Sequence, residues 1–186
     1  MVKKSYGKKN MIRVNNINKS YGEKKVIGNI SLEYKNGETY ILNSPSGSGK
    51  TTLLRIIAGL EKPDSGEVVY DGTGRRISFL FQEDRLLEKE TIADNLRLVL
   101  KGESYEEALR DVHELIPEAD VNDKVSEMSF GMKRRLAVIR AVRYDSDVLI
   151  LDEPFLGLDE ENIDKVKDYI KRGQRGRTVI MASHVV

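Results

Sequence analysis

The chain has 186 residues, 39% of them hydrophobic and 33% charged, the balance of a water-soluble globular chain forming one compact domain with room for a small lobe. Lys plus Arg number 31 and Asp plus Glu 30, a net charge of +1, so no broad basic field directs it to nucleic acid or anionic lipid. The absence of cysteine excludes disulfides and thiolate metal sites, and no apolar run approaches the ~20 residues a membrane-spanning helix needs.

The first residues, Met1-Val2-Lys3-Lys4-Ser5-Tyr6, are basic with no apolar segment behind them, which does not fit a signal peptide. Lys3, Lys4, Lys8 and Lys9 read as a solvated tail. Asn18-Lys19-Ser20 and Asn29-Ile30-Ser31 match a glycosylation pattern, taken as chance in a chain without an export signal. Residues 11–18 and 26–34 alternate apolar and polar, as half-buried strands do. Asn36-Gly37 is a turn signal, and a strand follows over residues 38–43. Residues 51–60 predict a helix with Gly59 near its C-cap. Pro63-Asp64-Ser65-Gly66 reads as a loop. Two strands, 67–70 and 77–81, flank a turn at Asp71-Gly72-Thr73-Gly74. From 91 to 116 the pattern is helical, with Ser104 and Glu107 spaced as a capping box. Ser129 is placed to cap a further helix through Arg134 to Arg143. Strand patterns return at 148–151 and 178–181. Between them, 160–171 is amphipathic with Asp159 as N-cap. A helical insert of about 60 residues thus interrupts an α/β body.

The strongest signal is Ser44-Pro45-Ser46-Gly47-Ser48-Gly49-Lys50-Thr51-Thr52, set between the strand Tyr40-Ile41-Leu42 and the helix that begins at Thr51. Strand, glycine-rich loop, Lys-Thr and helix form a phosphate cradle. Gly47 and Gly49 let successive N–H groups face one anion. Lys50 can reach the β- and γ-phosphates of a nucleotide, and the Thr51 hydroxyl is placed for Mg²⁺. The pattern wants glycine six residues before Lys50, where this chain has Ser44.

A second constellation is Val148-Leu149-Ile150-Leu151-Asp152-Glu153-Pro154. A continuous apolar run has both faces buried, as in a parallel sheet, and ligands in such sheets sit beyond the carboxyl ends of the strands. Leu42 leads into the phosphate loop, Leu151 into Asp152-Glu153, and Ala182 into Ser183-His184. If these strands are parallel neighbours, their ends converge. Asp152 would then hold Mg²⁺, and Glu153 would accept a proton from a water attacking the γ-phosphate.

With these residues in place, the chain resembles the ATP-binding subunit of ABC transporters over nearly its whole length. The resemblance implies an α/β fold: a P-loop NTPase core with an antiparallel β subdomain and an inserted α-helical subdomain. It divides the chain into a nucleotide-binding body, 11–83 and 144–186, and a helical subdomain, 84–143. It implies that Tyr21 stacks on adenine with Val26 beside it, and that Ser46, Gly47, Ser48, Gly49, Lys50, Thr51 and Thr52 bind the phosphates. Gln82 would touch Mg²⁺ and the attacking water, alongside Thr51 and Asp152 on the metal. Glu153 would be the catalytic base and His184 the residue that hydrogen-bonds the γ-phosphate. Met128-Ser129-Phe130-Gly131-Met132 occupies the place of the family signature Leu-Ser-Gly-Gly-Gln, with Phe130 replacing a glycine and Met132 the glutamine. Ser129 and Gly131 would face the nucleotide of a second copy, and Asp159 would lie in the loop that contacts it. The run Lys133-Arg134-Arg135 reads as a solvated helix face, and His113 is given no role.

The implied activity is hydrolysis of ATP, with Mg²⁺ as cofactor, driving a small solute through a separate transmembrane permease subunit. Two copies would sandwich the nucleotides on the cytoplasmic face of the membrane, with no nucleic acid involved. The stretch Asp84-Arg85-Leu86-Leu87-Glu88-Lys89-Glu90-Thr91 is similar to importers of the nitrate, sulfonate and taurine type. The family continues well beyond the histidine, whereas this sequence stops at Val186, which removes packing surface or points to a compact or shortened variant. Two other classes stay open: a hydrolysis-poor nucleotide-binding regulatory module, motivated by Ser44 and Phe130, and a soluble ABC ATPase not linked to transport.

Overall fold

The structure, a computed structural model, describes residues 11–45, 47–71 and 75–185. The lysines read as a solvated tail, Ser46 and the turn at 72–74 lie outside the described residues. Strands β1 (Met11–Tyr21), β2 (Lys24–Lys35) and β4 (Ser65–Tyr70) form an antiparallel sheet in the order β2-β1-β4. Strands β3 (Thr39–Leu42), β5 (Ile77–Leu80), β6 (Val148–Asp152) and β7 (Thr178–Ala182) form a parallel sheet in the order β3-β7-β6-β5. The helices are α1 (Lys50–Ile57), α2 (Ile92–Arg97), α3 (Glu103–Leu115), α4 (Phe130–Arg143) and α5 (Glu160–Gly173). The expected α/β architecture of a P-loop NTPase core, an antiparallel sheet and a helical insert is present.

Every residue of β6 and β7 is buried. The period of two in a strand divides them between two cores. Leu149, Leu151, Val179 and Met181 face α2, α3, α4 and α5. Val148, Ile150, Ile180 and Ala182 face α1 and the antiparallel sheet. Helix α1 brings Leu53, Leu54, Ile56 and Ile57 into that second core. Its end at Ile57 falls before residue 60 because Gly59 takes φ +72, letting its N–H reach the Ile56 carbonyl at 3.0 Å and the Leu60 N–H reach Arg55 at 2.9 Å.

The structure corrects three sequence expectations. The helical pattern over 91–116 is present as two helices, α2 and α3. Leu98 and Val99 are exposed while Leu100 is buried, and Gly102, at φ +53, turns the chain before α3. The capping box at Ser104 and Glu107 is not formed, since Gly102 is the N-cap and Ser104 lies inside the helix. The side-chain cap in this region belongs to Thr91, which accepts from the Asp94 N–H at 3.1 Å. The loop at 63–66 is shorter than expected, because β4 begins at Ser65. There Gly66 (φ +86) passes so close to β1 that a Cβ would lie 2.4 Å from the Asn15 carbonyl oxygen. Lys133-Arg134-Arg135 is not a solvated face. Arg134 and Arg135 are buried, and Lys133 pairs with Glu88 at 2.9 Å. Helix α4 runs between the sheet and the other helices and is buried over most of its circumference, so charged residues in it must find internal partners.

One such partnership fastens three helices. Arg143 of α4 donates to Asp111 of α3 at 2.7 Å and pairs with Glu107. Tyr169 of α5 donates to the other Asp111 oxygen at 2.5 Å. The hydrogen bond to Asp111 holds the Arg143 pKa above its usual value, and burial pushes the Tyr169 phenol up. Asp111→Ala removes an acceptor of Arg143 and the acceptor of the buried Tyr169 hydroxyl while Glu107 stays beside the guanidinium, so it should lower unfolding free energy by about 1–3 kcal/mol. Urea denaturation with unchanged slope measures this. A loss under about 1 kcal/mol would show the pair to be screened like a surface one.

Candidate active site at the carboxyl ends of the parallel strands

Strand β3 ends at Leu42, and the chain turns through a glycine-rich loop into α1. Gly49 is the N-cap of α1, with φ +88 and ψ 12. A Cβ at Gly49 would sit 2.9 Å from the Val26 carbonyl oxygen, so both conformation and space require glycine. Gly47 also has positive φ (+78) but open space around it, so there conformation alone selects it. Ser44, where the pattern wants glycine, is not among the described non-glycine residues with positive φ. Its hydroxyl lies 2.6 Å from that of Ser48, so the serine bridges the loop without straining it.

Lys50 projects back across this loop. Its Nζ donates to the Ser44 carbonyl and, at 3.4 Å, to that of Pro45. It lies 3.2 Å from His184 Nε2, which follows β7, and 4.0 Å from Glu153 Oε1, which follows β6. His184 Nε2 and Glu153 Oε1 are 3.3 Å apart. Residues separated by as many as 134 positions therefore meet because β3, β7 and β6 are parallel neighbours in register. Glu153 holds φ +50, a region costly for a residue with a Cβ. Its N–H is anchored on the Ala182 carbonyl at 2.8 Å.

Asp152 is 1% exposed, and neither of its carboxylate oxygens has a hydrogen-bond partner among the described residues. Burial raises its pKa. The Thr51 hydroxyl, near the carboxylate but not bonded to it, opposes the rise, as do Arg55 and Arg134, while the Glu153 charge adds to it. Two orphaned buried oxygens beside a threonine hydroxyl are hard donors that suit Mg²⁺, an ion that takes one or two protein oxygens and fills its remaining positions from phosphates and water.

Lys50, Thr51, Glu153 and His184 border a cleft of about 470 Å³, whereas the buried Asp152 is not among its lining residues. Tyr21, Val26, Gly47, Ser48, Gly49, Lys50, Thr51, Thr52, Gln82, Glu153 and His184 all line it, so the fold gathers most of the residues singled out from the sequence. Tyr21 is 50% exposed at the rim and its hydroxyl donates to Glu61. Ser129, Gly131 and Asp159 are not among the lining residues. Ser129 caps α4 by accepting from the Met132 N–H at 3.3 Å, and Asp159 caps α5 by accepting from the Asn162 N–H at 2.9 Å. They belong to a separate face, where the ring of Phe130, 53% exposed, covers Gly157 so closely that a Cβ there would meet it at 2.3 Å.

Sequence reasoning missed three participants. Lys24, the first residue of β2, and Leu156, in the loop between Glu153 and Asp159, also line the cleft. Arg134 is the larger omission. Its Nη1 donates to the carbonyls of Phe81 (2.8 Å) and Gln82 (3.3 Å) and to Asp84 Oδ1 (2.7 Å). Its Nη2 donates to the carbonyls of Asp152 (2.6 Å) and Glu153 (2.7 Å). The signal that could have found it is the apolar run Leu136-Ala137-Val138-Ile139, which marks α4 as buried all round.

Comparison with known proteins agrees with this geometry. The sequence model described as ABC transporter matches residues 27–156. The chain is 38% identical over 179 residues to the sulfate/thiosulfate import ATP-binding protein of Pseudomonas syringae pv. tomato, covering 87% of this chain and 55% of that protein. It is 33% identical over 193 residues to the spermidine/putrescine import ATP-binding protein of Mesoplasma florum, covering 95% and 55%. The chain thus spans about half the length of the curated relatives it matches. Among solved structures, a putative ABC transporter ATP-binding protein from Pyrococcus furiosus superposes with a TM-score of 0.82 at 26% identity, over 95% of this chain and 92% of that one. A dimeric ATP-binding cassette in a post-hydrolysis state with ADP and phosphate superposes with a TM-score of 0.79 at 27% identity, over 93% and 88%.

The Asp152 environment carries a stability consequence. A carboxyl whose pKa is raised on folding binds its proton more tightly in the folded state, so stability falls as pH climbs from the ordinary aspartate value, about 3.9, through the raised one. Asp152→Asn removes that cost. Thermal melts at pH 7 should show a higher Tm for the variant, and the two proteins should converge as pH falls toward 4. A lower Tm at pH 7 would mean that the charge is compensated.

Proposed function

The chain belongs to the ABC transporter ATP-binding family, and from that premise we propose that it binds MgATP in the cleft, hydrolyses it, and powers passage of a small solute through a separate membrane-spanning partner. One observation carries this reading: Lys50, Glu153 and His184 meet within 4.0 Å at three parallel strand ends, beside a buried Asp152 whose oxygens lack partners. Lys50 Nζ and the backbone N–H groups of residues 47–51, with the Ser46 position completing the loop, neutralise the phosphates. Thr52 supports the loop, and Tyr21 with Val26 takes the base at the rim. Glu153 takes the proton from an attacking water held by Gln82, and His184 hydrogen-bonds the γ-phosphate. Mg²⁺, held by Thr51, Asp152 and Gln82, would supply charge neutralisation between the phosphates.

Ser129, Gly131 and Asp159 stand apart from the cleft, which fits a role toward a second copy. The N-terminus of α4 would offer its N–H groups to the partner's γ-phosphate, and the shared charge would hold the two copies together until hydrolysis. In this reading the chain divides into a body at 11–83 and 144–186 and a lobe at 84–143, and the lobe would pass the motion to the permease. The resulting location is the cytoplasmic face of the membrane. Among the described residues no helix is long and apolar enough to cross a membrane, so passage needs another chain. We place the chain with importers. Relatives named for a divalent anion and for a polycation match it about equally well. Solute choice therefore lies outside this chain, and the likeness to nitrate, sulfonate and taurine importers around residues 84–91 is a finer assignment within that class.

A hydrolysis-poor module is the second reading, favoured by the exposed Phe130 ring at the head of α4, where a phosphate would have to approach. Phe130→Gly should then raise steady-state phosphate release, and no rise would remove this reading.

For the principal reading, Lys50→Ala should weaken MgATP binding ten- to a hundredfold by calorimetry, the equivalent of about 1.5–3 kcal/mol for hydrogen bonds to a charged group. Glu153→Gln should keep binding, lower kcat by roughly 10²–10⁴-fold, and accumulate a dimer on size-exclusion chromatography. Undiminished hydrolysis by Glu153→Gln would overturn the assignment.

A further inference from the structure

We infer that Arg134 is a positioning residue for hydrolysis, a wholly buried guanidinium that fixes the backbones of Glu153 and Gln82 together and joins both to the helix carrying Ser129. The inference rests on the reading of Glu153 as the base. Its support is geometric. Arg134 is 0% exposed, and its two terminal nitrogens make five hydrogen bonds, four of them to carbonyls at the ends of β5 and β6. A planar fork can span two strand ends at once, and an ammonium cannot. Asp84, itself largely buried, accepts from Nη1 at 2.7 Å and sets the orientation of the fork. The residue it grips just after β6 is the one that needs gripping: Glu153 sits at φ +50, and a strained conformation persists only where its surroundings over-determine it. Releasing the Glu153 carbonyl lets the backbone relax and swings the carboxylate away from Lys50 and His184. The same guanidinium holds the Gln82 carbonyl, so the residue assigned to the attacking water and the residue assigned to its proton share one anchor.

Helix α4 extends the consequence. Ser129 caps its first turn and Arg134 lies in its second, so the segment proposed to meet a second copy's nucleotide and the clamp on this copy's base are one rigid piece. Displacement of α4 on dimer formation would be felt at Glu153 with no intervening loop.

The test uses the full chain with two variants and two readouts. Arg134→Lys keeps the charge and removes the fork; Asp84→Asn loosens the fork and leaves the arginine in place. Single-turnover phosphate release should fall on the order of 10²-fold in Arg134→Lys, since a misplacement near 1 Å costs that much, and by less in Asp84→Asn. The Kd for MgATP should stay at the wild-type value in both. A purely structural role would lower Tm and leave the rate per folded molecule unchanged, and that result overturns the inference, as does a loss confined to Kd. Amide hydrogen exchange decides the matter independently of turnover: exchange at the Glu153 N–H, bonded to Ala182, should speed up about tenfold in either variant. Unchanged exchange sinks the inference even if Arg134→Lys fails to fold, because Asp84→Asn alone then answers. If wild type releases no phosphate while exchange responds as expected, the hydrolytic reading falls and the positioning role stands.

Discussion

A carboxylate taken out of water without a hydrogen-bond partner costs several kcal/mol, and the rest of this molecule is arranged around keeping one. Asp152 lies at the end of a fully buried strand with both oxygens orphaned. Nothing in the packing of β6 demands an acid there; a leucine would continue the apolar run. The position fits the proposed cation shared with a polyanion, and the neighbouring strand ends bring up Lys50 after β3 and His184 after β7. The parallel sheet is therefore more than a scaffold. Its register sets which three loops meet, and its two covered faces keep the strand ends from shifting.

The helices serve the same end with guanidinium groups rather than apolar contacts alone. Arg134 grips the strand ends β5 and β6, and Arg140 donates to the carbonyls of Asp84 and Arg85. Arg143 ties α4 to α3, and Arg177 donates to the carbonyls of Val142, in the last turn of α4, and Tyr144, just after it. Arginine suits this work because it stays charged when buried and offers several donors in a fixed plane. Each of these bonds gives a partner to a carbonyl where a strand or helix ends or the chain turns. The result is a helix tied by side-chain hydrogen bonds to the carboxyl edge of the sheet.

The departures from the family pattern look different once they are in three dimensions. Ser44 needs no left-handed backbone and donates or accepts within the loop, so its replacement of glycine is a local adjustment. Phe130 is of another kind. It points out of the chain and covers Gly157, on the face that stands apart from the cleft. Its consequences belong to what approaches that face, and not to the site within this chain.

By itself the sequence determined the phosphate loop, the apolar strand ending in two acids, the histidine after the last strand, and the caps at Ser129 and Asp159. Each is a local statement: glycine where φ is positive, an unbroken apolar run where both faces are covered, a short polar side chain where a helix begins. Tertiary structure decided the rest. It divided the helical stretch after Arg97, with Gly102 heading the second helix in place of a cap at Ser104 and Thr91 capping the first. It turned Arg134 from an expected surface charge into the most connected buried group beside the cleft. It also set the distances among Lys50, Glu153 and His184. These outcomes depend on groups tens to more than a hundred residues apart, and whether a charge is solvated or enclosed is fixed by what packs over it, which no local window of sequence contains.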